Sequence, residues 1–173
     1  LVAQNLGSRQ LPTCPRVLTQ TIIFSCLSIP IIFALIPAGK WLLETAGLTS
    51  EEMLQAQTYL TILMAFYGLN LFRESLSSYF GGLGKTRVVL LSTLLMGLAN
   101  VGANYVLIFG KLGFPALGIA GAGYGTVFAW FVGLFALCVI YFRQIKLPEY
   151  QLLKSFQFDL GILKKLVHFG FAS

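Results

Sequence analysis

The chain has 173 residues, 57% of them apolar and 10% charged, with 18 glycines and a net charge of +6; its mean hydropathy is +0.81. Soluble domains run at about 45–50% apolar and about 25% charged, so the composition excludes one, and it equally excludes a disordered tail. One histidine, His168, and three scattered cysteines, Cys14, Cys26 and Cys138, are too few for a metal cluster or a disulfide framework.

The segment Leu1–Gly7 is apolar but lacks the charged, apolar and small-residue order of a signal peptide; it reads as the end of a helix. Four runs free of Asp, Glu, Lys and Arg follow: Thr21–Gly39, Met53–Phe72, Val88–Gly110 and Leu112–Phe142. A membrane-spanning helix needs about 20 mostly apolar residues, so four complete spans are expected. Pro30 and Pro37 interrupt the first; each removes a backbone donor and tends to bend the axis, which suits either a moving helix or a fixed kink. The stretch Gly81–Arg87 (GGLGKTR) lacks the glycine spacing of a phosphate-binding loop and reads as a tight basic turn. Gly113 and Pro115 mark another turn, so the last helix is expected to begin near Leu117. Val88–Leu95 and Trp130–Val139 show no period-two alternation, against a transmembrane barrel. After a basic stretch, a new apolar segment starts at Gly161.

Lys and Arg concentrate on the cytoplasmic side of membrane proteins. Alternating the spans places Arg9, Arg16, Lys85, Arg87, Arg143, Lys146, Lys154, Lys164 and Lys165 on one side and only Lys40 and Lys111 on the other. The first complete span therefore runs outward. The basic balance is accounted for by the anionic inner leaflet, and no nucleic-acid partner is expected.

Polar residues inside the spans are the candidates for function. Asn70, Glu74 and Ser78 recur every four residues, with Arg73 and Ser77 beside them, and are expected to form one inward polar face. Two readings stand: Arg73 snorkels to the interface with Glu74 as its partner, or Glu74, the one acidic residue within a span, belongs to a proton or sodium relay. On the third span Thr93, Gly97, Asn100 and Asn104 fall within an arc of about 60°. Their carboxamides either bond a neighbouring helix or line a cavity that coordinates a cation. Gly121, Gly125, Ala129 and Gly133 repeat every four positions on the fourth span, a helix-packing stripe, and Gly97 on the third span is likewise expected to serve helix packing. Thr126 offers a hydroxyl to the same region. The glycines of Gly118–Thr126 do not follow a strand, which excludes a dinucleotide site. No nucleophile has a base nearby, so no enzyme is expected.

Taken together, VAQNLG at 2–7, GLGKTR at 82–87, NVGANYVLIFG at 100–110, GFPALGIAGA at 113–122 with Thr126, and LKKLVHFG at 163–170 resemble, in order, segments of the multidrug and toxic compound extrusion (MATE) family of secondary transporters. The resemblance implies an all-α polytopic helix bundle in the cytoplasmic membrane. It also implies part of the amino-terminal six-helix lobe of a twelve-helix protein. By it, residues 1–142 run from the end of the second helix through the sixth, 143–165 form a cytoplasmic inter-lobe linker, and 166–173 open the seventh helix. The implied activity is exchange of a cationic organic compound for Na⁺ or H⁺, with no cofactor, in contact with membrane lipid and with a carboxy-terminal lobe. The family's amino-terminal cation site maps onto Asn100, Asn104 and Thr126, where Na⁺ is the candidate ion. That site also takes an Asp from a first helix that precedes this chain. Many members carry Asp where this chain has Asn104, which removes a titratable group from that position. Alternative readings are a lipid-linked sugar flippase of the same superfamily, for which Arg73 is the only basic residue within a span, and a non-transporting scaffold or truncated remnant.

Overall fold

The computed structural model describes residues 1–144, 147, 158–164 and 166. Most of the expected linker, the expected seventh-helix start and His168 lie outside these residues. A short helix α1 (Val2–Gly7) and a 3-10 turn (Leu11–Thr13) lead into four long helices: α2 (Cys14–Glu44), α3 (Ser50–Gly82), α4 (Thr86–Phe109) and α5 (Gly118–Arg143). No strand occurs among the described residues.

Local chemistry sets the helix boundaries. α2 opens with Pro15 in its first turn, where the missing N–H would have no intrahelical partner in any case. α3 opens with a reciprocal capping box. The Thr49 backbone N–H donates to Glu52 Oε2 at 2.9 Å, the Thr49 hydroxyl donates to the same oxygen at 2.7 Å, and the Glu52 N–H donates to Thr49 Oγ1 at 3.4 Å. The two hydrogen bonds from Thr49 hold the Glu52 carboxyl below its ordinary range. α4 stops at Gly110, whose φ of 65° is left-handed and whose missing Cβ would fall 2.6 Å from the Ala116 backbone nitrogen; only glycine fits both demands. α5 then begins at Gly118, one residue from the expected position.

The helices are arranged in the order α2, α3, α5, α4: α5 packs against both α3 and α4, α3 packs against α2, and the consecutive helices α3 and α4 scarcely touch. The buried apolar cluster sits at the basic end, where Leu18, Leu76, Tyr79, Phe80, Leu137 and Tyr141 are buried together. The Lys85 ammonium of the α3–α4 turn donates to the Gln144 carboxamide oxygen there. Elsewhere large apolar side chains such as Leu27, Trp41, Leu98, Val101 and Phe135 are exposed, as expected of surfaces that meet lipid rather than water.

Among the described residues α2 with its preceding turn, α4 and α5 are long and apolar enough to cross a membrane. Three of the four expected spans meet that description, and all four form long helices. α3 is long enough at 33 residues, but it is diluted by polar side chains. The reason is positional. α3 lies between α2 and α5, so Thr61, Asn70, Arg73 and Ser75 are half-buried against protein, and the Ser75 hydroxyl pairs with Ser25 of α2 at 3.1 Å.

Candidate functional site

The closest helix approach is between α4 and α5, and glycines set it. A Cβ on Gly121 would lie 2.6 Å from the carbonyl carbon and oxygen of Leu107. One on Gly125 would collide with the Asn104 carboxamide oxygen and come within 3.2 Å of the Asn104 backbone nitrogen. Gly121, Gly125 and Gly133 are all buried. With no side chains in the way, the α4 backbone settles onto α5 and the Asn104 carboxamide lies across Gly125, a contact stabilised by dispersion between close backbones.

That approach joins three of the expected residues in one hydrogen-bonded string. Asn104 Nδ2 donates to Asn100 Oδ1 at 3.2 Å, Asn100 Nδ2 donates to Thr126 Oγ1 at 3.4 Å, and the Thr126 hydroxyl donates to the Ala122 carbonyl at 3.0 Å. The string runs one way and ends on the α5 backbone. It leaves Asn104 Oδ1 buried with no hydrogen-bond partner. An orphaned buried acceptor costs about 1–3 kcal/mol, so it calls for a specific explanation. The three side-chain oxygens are neutral, and neutral oxygens of this kind suit a hard cation. No group of three or more His, Cys, Asp or Glu able to hold a metal occurs among the described residues.

The second polar group divides between two faces. The Arg73 Nε donates to Asn70 Oδ1 at 3.1 Å and its terminal nitrogen meets Glu74 Oε2 at 2.5 Å, yet the Arg73 side chain is 12% exposed and that of Glu74 is 58% exposed. The expected single inward face is thus corrected: Arg73 and Ser77 turn inward, whereas Glu74 and Ser78 turn outward. Successive residues on a helix are about 100° apart, so α5 can cover Arg73 or Glu74 but not both. It covers Arg73, whose Cδ lies 3.1 Å from where a Gly133 Cβ would be, beside Met96 of α4.

Gly97 also departs from expectation. It is exposed, with nothing within 4 Å of the place its Cβ would take, so among the described residues it packs no helix. It sits at the rim of the α4 face centred on Met96, Asn100 and Leu107. Pro30 and Pro37 are both exposed, and α2 runs unbroken through them. Sequence reasoning missed Thr19 and Gln20, fully buried on α2, and the Ser25–Ser75 pair; polar residues at the start of an apolar run were the available signal.

These features define a polytopic, all-α integral membrane protein with a neutral polar site between two glycine-packed helices. The MatE family profile matches residues 1–106, and the chain belongs to that family. It is 31% identical over its full length to the uncharacterized transporter YisQ of Bacillus subtilis strain 168. Over 97% of its length it is 35% identical to a probable multidrug resistance protein NorM of Halalkalibacterium halodurans, and over 99% it is 32% identical to one of Bacillus licheniformis. The chain spans 38%, 35% and 39% of the lengths of these three relatives. No solved structure matches it significantly. Membership of a transporter family agrees with the expectation that the chain is not an enzyme.

Proposed function

We propose that the chain is most of the amino-terminal lobe of a longer, cation-coupled exporter of cationic organic compounds, and that Asn100, Asn104 and Thr126 contribute to its ion site. In this reading residues 1–142 supply α1 to α4 and α5 up to its last residue, with α3 as a fourth span. Residues 143–165 lead to a carboxy-terminal lobe, and 166–173 open it; the basic loops face the cytoplasm. Relatives named as multidrug resistance proteins support the class of activity. The observation that carries the site is the buried Asn104 oxygen without a partner at the end of the Asn104–Asn100–Thr126 string.

Carboxamide and hydroxyl oxygens do not titrate in the physiological range. This part of the site therefore favours Na⁺ as the ion it binds, and proton coupling would need a carboxylate from another helix. The flippase reading is disfavoured by Arg73, whose guanidinium is already shared between Asn70 and Glu74 and is not a free cation for a phosphate. The test is efflux of cationic dyes from vesicles containing the full-length protein, with Na⁺ and H⁺ gradients imposed separately. Wild type is compared with Asn100→Ala plus Asn104→Ala. Gradient-driven efflux lost in a variant that still folds and inserts supports the site. Unchanged efflux reduces the asparagines to packing, and no efflux by wild type refutes the exporter.

A further inference from the structure

Gly121 and Gly125 both admit α4, but they meet different parts of it. A Cβ on Gly121 would meet backbone first, the Leu107 carbonyl at 2.6 Å and the Ile108 nitrogen at 2.9 Å. At Gly125 the first obstacle is the end of a side chain. The Asn104 carboxamide oxygen occupies the place of the Cβ, and the Asn104 backbone nitrogen is 3.2 Å away. A methyl group at 121 therefore parts the backbones, whereas one at 125 displaces the carboxamide. The contact is made entirely by α4 and α5.

The two ends of that carboxamide serve different partners. Asn104 Nδ2 donates to Asn100 Oδ1 at 3.2 Å, while Oδ1 is buried against Gly125 with no hydrogen-bond partner. There it meets the glycine Cα–H, a weak contact. The oxygen and nitrogen of a planar amide diverge, so with Nδ2 on Asn100 the oxygen cannot face the same point as Asn100 Oδ1. Asn100 Oδ1 and Thr126 Oγ1 are themselves engaged by the Asn104 and Asn100 amides. The string is thus closed on itself. A cation held by both asparagine oxygens must draw Asn104 Oδ1 off Gly125 and break the Asn104–Asn100 bond.

We propose that Gly125 is the seat of a lock on the Asn100–Asn104–Thr126 site. In the closed form Asn104 rests on Gly125 and saturates Asn100; in the open form its oxygen leaves α5 and joins the ion. The lock rests on the ion-site reading and adds how that site is kept closed. Gly125 acts through Asn104 and is a positioning residue. An ion that binds only the open form has an apparent Kd raised by the inverse of the open fraction. One net hydrogen bond favours the closed form about fivefold, so removing the seat should tighten binding by about that factor.

The experiment follows the side-chain amide ¹⁵N–¹H signals of Asn100 and Asn104 in the purified full-length protein, titrated with NaCl against KCl at constant ionic strength. In wild type Na⁺ is expected to shift both signals together. In Gly125→Ala the Asn104 signal should be displaced before Na⁺ is added, and the half-saturating Na⁺ concentration should fall about fivefold. Gly121→Ala, which parts the backbones, should not lower it. A glycine serving packing alone would give weaker binding in Gly125→Ala, so an unchanged or raised half-saturation overturns the lock. An equal fall in both alanine variants also overturns it, by assigning the effect to looser helices. If Gly125→Ala does not fold, the wild-type titration decides through the Asn104 signal. The two readings fail differently: movement of Asn100 without Asn104 refutes the lock and keeps the ion site, whereas movement of neither signal refutes the ion site and the lock with it.

Discussion

Adding a methyl group at Gly121 tests the α4–α5 contact on which the polar string depends. The new Cβ would sit 2.6 Å from the Leu107 carbonyl and 2.9 Å from the Ile108 nitrogen. All three atoms are backbone, so no rotamer change relieves the clash, and reaching an ordinary contact of 3.4 Å requires α4 and α5 to part by about 0.8 Å there. Overpacking of this kind costs about 1–3 kcal/mol. Gly97→Ala is the matched reference. Its methyl meets nothing within 4 Å, and alanine in a helix interior gains about 0.5–1 kcal/mol over glycine. That gain is common to both helical positions and cancels, so the two variants should differ by the overpacking, about 1–3 kcal/mol, with Gly121→Ala the less stable. Equilibrium unfolding of the full-length protein, titrated from mild detergent into dodecyl sulfate, reads that difference. Because Leu107 is one turn from Asn104, the same separation should break the 3.4 Å bond from Asn100 to Thr126 and weaken ion-dependent efflux. Equal unfolding midpoints for the two alanine variants would refute the close approach.

Thr126→Val keeps the side chain's shape but removes the acceptor of the Asn100 bond; it should weaken Na⁺-driven efflux while costing about 1 kcal/mol of stability, and efflux equal to wild type would separate Thr126 from the site. Gly133→Leu should displace the Arg73 stem, 3.1 Å from the new Cβ, and destabilise the full-length protein by about 1–3 kcal/mol in the same unfolding assay; a wild-type midpoint would contradict the packing of Arg73 on α5. Glu52 is held below the ordinary carboxyl range by Thr49, so its cap contributes to folding at neutral pH and is lost only as pH falls through that lowered value. A ¹³C titration of Glu52 should show a midpoint below that of an ordinary glutamate, returning upward in Thr49→Ala. A midpoint unmoved by the substitution would contradict the capping box.

Much of the architecture was legible because lipid simplifies the code. A span must satisfy its own backbone and show apolar side chains outward, so the charge-free runs located α2, α3, α4 and α5 directly, and Gly113 with Pro115 located the turn before α5. The small-residue stripe was legible for a similar reason: Gly121, Gly125 and Gly133 recur every four positions, and only a closely approached backbone makes use of such a row. The faces of α3 were harder to read, because a helix packed on both sides by protein has no need of a continuous apolar surface, and its polar residues divide between covered and open sides.

The sequence by itself determined an all-α membrane bundle, its basic loops, the turn before α5 at Gly113 and Pro115, and the family, since each depends on composition, local backbone chemistry or ordered motifs. Only the tertiary structure decided that α5 stands between α3 and α4. From that placement follow the burial of Arg73 and the exposure of Glu74, the empty surroundings of Gly97, and the union of Asn100 and Asn104 with Thr126. Helical periodicity states which residues share a face; which neighbour covers that face is set by how closely two backbones can approach, and here glycines on α5 settle it.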